Sequence, residues 1–187
     1  MKFVTEGHLL LAIICIALSG LCDMFDGKVA RRKLDRTDNE KLFGIQIDSL
    51  CDLVAFGVAP SVFCYVVGLQ NTLGIFVSIF YCICGVIRLA YFNVLETNNF
   101  FSDEEHEKVY YGLPITSISI ILPIFFVLRY FIDPHLFGVL LTIVLFITGI
   151  LFVSNFKIKK LDNKYLAILV GIVAVALLVT IILVSKQ

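Results

Sequence analysis

Long apolar runs alternate with short polar breaks along the chain. The apolar runs cover about 8–26, 46–69, 73–93, 113–132, 136–154 and 164–185. Each approaches the roughly 20 residues that a helix needs to cross the hydrocarbon of a bilayer. Gln70-Asn71 separates the second run from the third, and Asp133-Pro134 separates the fourth from the fifth. The last run is the clearest. The first two are interrupted by charge at one end only, and that charge is aspartate. The pattern predicts an all-α, polytopic integral membrane bundle of about six transmembrane helices. It forms one domain over 1–187, with no internal repeat and no low-complexity tract.

Composition agrees. Of 187 residues, 59% are hydrophobic and the mean hydropathy is +0.97, against about 45–50% apolar in soluble domains. The formal net charge is zero, and no basic stripe of the kind nucleic acid requires is present. Cys15, Cys22, Cys51, Cys64, Cys82 and Cys84 all lie in or beside apolar runs. They read as small hydrophobes rather than as a disulfide scaffold or a metal site. Residues 8–21 are apolar but have no basic flank and no small-residue cleavage site, so they do not read as a leader peptide.

The placement of charge orients the bundle. Residues 27–43 carry Lys28, Arg31, Arg32, Lys33, Arg36 and Lys41; residues 155–164 carry Lys157, Lys159, Lys160 and Lys164. With six spans these two segments share one side with 94–112, and the opposite side is poor in cations. The basic side is expected to be cytoplasmic and both termini extracytoplasmic, in a bacterial plasma membrane. Asp103, Glu104, Glu105 and Glu107, with His106, read as a solvated loop.

Asp23 and Asp26 are three apart, and Asp48 and Asp52 are four apart. Both spacings place two side chains on one helix face. Asp23 and Asp26 end the first run and Asp48 and Asp52 begin the second, so the pairs are expected to face each other at the cytoplasmic ends of neighbouring helices. Four packed carboxylates in low dielectric cannot all remain ionised without positive charge among them. Hard oxygen ligands of this kind suit Mg²⁺, Mn²⁺ or Ca²⁺; ion pairs with Arg31, Arg32 or Arg88 are the structural alternative. Gly27, Ala30 and Gly44 share the helix faces of the acids, where small residues allow close approach or leave room for a ligand. Arg88, within the third run, is costly in hydrocarbon unless paired.

Asp23-x2-Asp26-Gly27-x2-Ala30-Arg31, followed by Gly44-x3-Asp48-x3-Asp52, resembles the signature of the CDP-alcohol phosphotransferases. The spacing within each half matches. The interval between the halves is four residues longer, in the stretch "RKLDRTDNEKLF". "IDSLCDLVAFGVAPS" at 47–61, "GVIRLAYFN" at 85–93 and "YGLPIT" at 111–116 resemble the phosphatidylserine synthases of that family. Members of the family carry a further span ahead of the helix that ends in the first aspartate pair, whereas here only "MKFVTEGH" precedes it.

The resemblance implies transfer of a phosphatidyl group from CDP-diacylglycerol to L-serine, giving phosphatidylserine and CMP. Asp23, Asp26 and Asp48 would ligate a divalent metal, Mg²⁺ or Mn²⁺, as two ions. Asp52 would be a shared ligand and the catalytic base, in preference to His8, His106 or His135. Gly27, Ala30 and Gly44 would face the nucleotide, with Arg31 near its phosphates. Arg88 and Ser61 are candidates for serine or phosphate binding. Asn93 is a weaker candidate, better read as helix packing. A homodimer through apolar helix faces is also implied. Two alternatives stay open: the same chemistry with glycerol phosphate, inositol phosphate or an amino alcohol as acceptor, and an ion transporter, since intramembrane acids also mark ion paths.

Overall fold

The computed structural model describes residues 8–30, 37–101, 110–158 and 163–185; side chains are described for 8–25, 37–97, 112–156 and 168–185. Among the described residues six helical segments follow one another, as the apolar pattern predicts: α1 (Leu9–Ala30), α2 (Asp38–Val67), α3 (Thr72–Phe101), α4 (Ile115–Tyr130), α5 (Pro134–Val153) and α6 (Asn163–Ser185). Four of them contain stretches long and apolar enough to cross a membrane: Asp38–Val67, Thr72–Thr97, Pro134–Val153 and Ile168–Ser185. Leu9–Phe25 and Ile115–Tyr130 are shorter apolar helices.

Three helices extend further into the polar regions than the hydropathy runs do; the first runs on to Ala30. The second begins at Asp38 rather than near 46 because Thr37 caps it. Thr37 Oγ1 accepts from the Glu40 amide (3.3 Å), and the Thr37 amide donates to Glu40 Oε2 (2.9 Å). This reciprocal pair is a capping box. Asp38 then accepts a bond from Lys41 Nζ (3.2 Å) one turn on. Residues 38–43 of the long interval between the aspartate pairs are therefore helix, not loop. The third helix likewise continues past 93 to Phe101.

α2 is one continuous helix with a change of winding inside it. Leu53–Val58 is π-helical, between α-helical Asp38–Asp52 and Ala59–Val67. The cause is local. Pro60 has no amide hydrogen, and its ring crowds the carbonyl of residue 56. The wider turn relieves that crowding, and the Ala59 amide reaches back to Val54 O. Side chains take up the carbonyls that the altered winding exposes. Tyr81 Oη donates to Phe56 O (2.5 Å), Ser61 Oγ to Gly57 O (2.9 Å) and Cys82 Sγ to Gly57 O (3.5 Å).

α3 packs extensively on both α2 and α5. Phe56, Phe63, Tyr81, Phe126, Phe137 and Phe152 are fully buried, and Phe63–Phe126 and Tyr81–Phe152 ring pairs at 5.4 and 5.3 Å link the helices. α1 packs chiefly on α4. Gly20 makes that approach possible, since a Cβ there would lie 2.1 Å from Ser119 Oγ. Large residues such as Leu11, Leu18, Ile79, Ile83 and Ile182 face outward, as a lipid-facing surface requires.

Short strands β1 (Tyr110–Tyr111) and β2 (Lys157–Ile158) pair antiparallel. They tie the connection before α4 to the connection after α5, so these two segments share one side of the bundle. Gly112 follows at φ +72°. A Cβ there would stand 2.8 Å from Ser154 O, and its amide donates to Phe156 O (2.8 Å). Together with the Leu113 amide on Leu151 O (3.1 Å), this pins the segment before α4 to the end of α5.

Candidate active site

Asp23 lies half-buried in the last third of α1. Asp26 is three residues further along the same helix, and its side chain lies outside the described set, as do those of Gly27 and Ala30; Arg31 lies outside the described residues altogether. On α2, Asp48 is exposed and Asp52 half-buried. With the helix starting at Asp38, these two sit between two and four turns inside it. They do not begin it, which corrects the expectation from hydropathy alone.

The two acid-bearing segments have different neighbours. α1 meets α2 mainly from Leu53 onward, whereas Asp38–Asp52 rests on α3. Among the described residues, no three His, Cys, Asp or Glu side chains gather closely enough to hold a metal ion. Asp26, the fourth acid of the pattern, lies outside that set. The donor class nonetheless fits a hard divalent cation, because each segment offers carboxylate oxygen. The surroundings of Gly44 fit a ligand as well. A Cβ added there would meet nothing within 4 Å, so no helix contact requires the glycine, and the space beside it is open.

Asp38–Asp52 contains one buried residue, Ser49. Its hydroxyl donates to Asn93 Oδ1 on α3 (2.6 Å), and Asn93 Nδ2 donates to Gln46 Oε1 (3.4 Å). Asn93, which the sequence alone assigns to packing, holds the acid-bearing half of α2 at two points.

Arg88 is buried in α3, 6% exposed. Its Nε donates to Leu113 O (3.2 Å), and its guanidinium carbon lies 6.0 Å from the centre of the Phe92 ring. Among the described residues its bonding partner is a carbonyl rather than a carboxylate. Leu113 O is presented by the segment that Gly112 pins to α5. The adjoining turn, Ile115–Ser117, touches α1, the π turn and α3, so the aspartate helices and the arginine helix meet around it. Ser61, in contrast, is buried and uses its hydroxyl on Gly57 O, 3.1 Å from Cys82 Sγ. It serves the π turn of α2. Cys64 and Cys84 are buried and all six cysteines are free, in keeping with their reading as small hydrophobes. His106 and the acidic run 103–107 lie outside the described residues.

The fold is that of a polytopic helical membrane protein whose paired aspartates lie on two consecutive helices, with a buried cation on the third. Residues 1–154, which contain both aspartate pairs and Arg88, match the family model of the CDP-alcohol phosphatidyltransferases. The chain belongs to that family.

Among its relatives, the CDP-diacylglycerol–serine O-phosphatidyltransferase of Methanocaldococcus jannaschii is 34% identical over 167 residues, 89% of this chain and 71% of that protein. The Saccharomyces cerevisiae protein of the same name is 36% identical over 115 residues, 60% of this chain and 40% of its own length. The archaetidylserine synthase of Methanothermobacter thermautotrophicus is 29% identical over 159 residues, 84% of this chain and 62% of that protein. The chain spans less than two thirds of the length of the latter two.

Proposed function

We propose that this protein transfers a phosphatidyl group from CDP-diacylglycerol to L-serine, releasing CMP, at the side of the membrane where the α1 and α2 aspartates lie. The observation that carries the reading is the pattern Asp23, Asp26, Asp48 and Asp52 inside the region that matches the family. The names of the relatives support serine as the acceptor. The basic segments 27–43 and 155–164 support a cytoplasmic site.

Asp23, Asp26, Asp48 and Asp52 would hold divalent metal, Mg²⁺ or Mn²⁺, as two ions. When bound, the metal supplies positive charge to the diphosphate as CMP leaves. The remaining work falls to the chain. Gly27, Ala30 and Gly44 would face the cytidine, and Arg31 would meet its phosphates. Asp52 accepts the proton of the serine hydroxyl as that oxygen attacks the lipid-bearing phosphorus. The new O–P bond forms as the bond from that phosphorus to the CMP oxygen breaks. Arg88 offers its guanidinium to an anionic group, the serine carboxylate or a substrate phosphate; a guanidinium can make two parallel bonds to either. The apolar faces of the helices bind the acyl chains, and a second copy of the chain completes a homodimer.

CMP release by purified protein, supplied with CDP-diacylglycerol and each of serine, glycerol phosphate, inositol phosphate and ethanolamine, tests this. Serine-dependent release is expected. It should be lost on chelation and restored by Mg²⁺ or Mn²⁺. Asp52→Asn should lower turnover by about 10²–10⁴-fold, the usual worth of a positioned base, while CDP-diacylglycerol still binds. Release that follows another alcohol would exclude serine as the acceptor, and turnover that survives Asp52→Asn would exclude Asp52 as the base.

A further inference from the structure

The α-helical half of α2 that carries Asp48 and Asp52 rests on α3. Of its residues only Ser49 is buried, and the π turn Leu53–Val58 separates it from the well-packed half with Phe63 and Cys64. Hydrophobic burial therefore does not set how this half is rotated about its axis. What meets Ser49 is Asn93, whose carboxamide oxygen accepts from the serine hydroxyl (2.6 Å) while its nitrogen donates to Gln46 (3.4 Å).

The helical angles make this contact specific. At about 100° per residue, Gln46 lies roughly 60° to one side of Ser49, while Asp52 and Asp48 lie roughly 60° and 100° to the other side. Gly44 continues the same stripe, roughly 140° round. An amide that grips Ser49 and Gln46 together fixes the rotation of the helix, and with it the direction of Gly44, Asp48 and Asp52. Asn93 lies five residues after Arg88 on α3, so one helix sets both the cation and the acids.

We propose that Asn93 is a positioning residue. Its two-sided carboxamide holds the Asp48–Asp52 face in register with Arg88, so that the carboxylates are presented to metal and substrate. This rests on the phosphatidyltransferase reading of the site.

The test compares Asn93→Ala, Ser49→Ala and the double variant by hydrogen exchange of the amides of 41–52, by Mn²⁺ binding followed by electron paramagnetic resonance, and by CMP release. Each single change is expected to speed exchange in 41–52, to weaken Mn²⁺ binding several-fold and to lower kcat about tenfold. The double variant should be no worse than Asn93→Ala alone, because Asn93→Ala already removes the contact that Ser49→Ala removes. Asn93→Asp keeps the acceptor for Ser49 but loses the donor to Gln46, so it should fall between wild type and Asn93→Ala. Unchanged exchange in 41–52 would overturn the proposal. So would faster exchange with unchanged Mn²⁺ binding and turnover, or strictly additive effects. If the wild type releases CMP with no acceptor, the reading of the reaction fails, and exchange together with Mn²⁺ binding decides the role of Asn93.

Discussion

Arg88 directs one hydrogen bond to a main-chain carbonyl and leaves the rest of its guanidinium for something else. Among the described residues no carboxylate bonds this buried cation, which favours the proposed anion site over a structural ion pair. Lysine would keep the charge but not the Nε bond to Leu113 O or the planar fork. Arg88→Lys is therefore expected to raise the KM for serine about tenfold, with a smaller change in kcat; initial rates of CMP release over a range of serine concentrations check this. An equal loss in kcat at unchanged KM would place Arg88 on the departing nucleotide instead. Arg88 and the four aspartates were visible in the sequence because charge stands out against an apolar background. The partner of Arg88 was not, because Leu113 lies 25 residues away and becomes its neighbour only through the turn at Gly112. Ser61 shows the reverse. Its position after the second aspartate pair suggested a ligand role, but its hydroxyl bonds Gly57 O, one turn back in the π turn.

Between helices, the π turn governs how the two halves of α2 relate. It places one more residue in a turn than an α-helix would, so the Asp48–Asp52 face is rotated relative to the Phe63 face below. Such turns occur often at functional sites. Tyr81 stabilises this one by taking Phe56 O. Tyr81→Phe keeps the ring packed on Phe152 and removes only the hydroxyl. It should cost about 1–3 kcal/mol, the penalty for a buried carbonyl left without that donor. Thermal unfolding in detergent measures it, and an unchanged midpoint would show that the carbonyl finds another partner. The signals for these features were present in the chain. Thr37-x-x-Glu40 announces the true start of α2, and Pro60 after an apolar run announces disturbed winding. Hydropathy does not register either one, because a cap is polar and a π turn is as apolar as its flanks.

For the whole molecule, the β1–β2 pairing supports the side assignment made from charge. Cysteines introduced at Lys41 and Phe156, in a protein with its native cysteines replaced, should react with a membrane-impermeant maleimide from the same side, the cytoplasm. Cysteines at Gln70 and Asp133 should react from the other. Labelling of 41 and 156 from opposite sides would contradict the six-span order.

What the sequence determined alone is the number and order of the helices, their membrane setting, the family and the carboxylates. These follow from one-dimensional quantities: run length, charge placement and residue spacing. The tertiary structure decided that Tyr81 takes the carbonyl of Phe56 in the π turn, and that Gly112 pins the turn that presents Leu113 O to Arg88. It also decided that Asn93 and Ser49 hold the acid-bearing half-helix. Each of these depends on groups dozens of residues apart satisfying one another's hydrogen bonds where water is absent, and only the packed bundle brings such groups together.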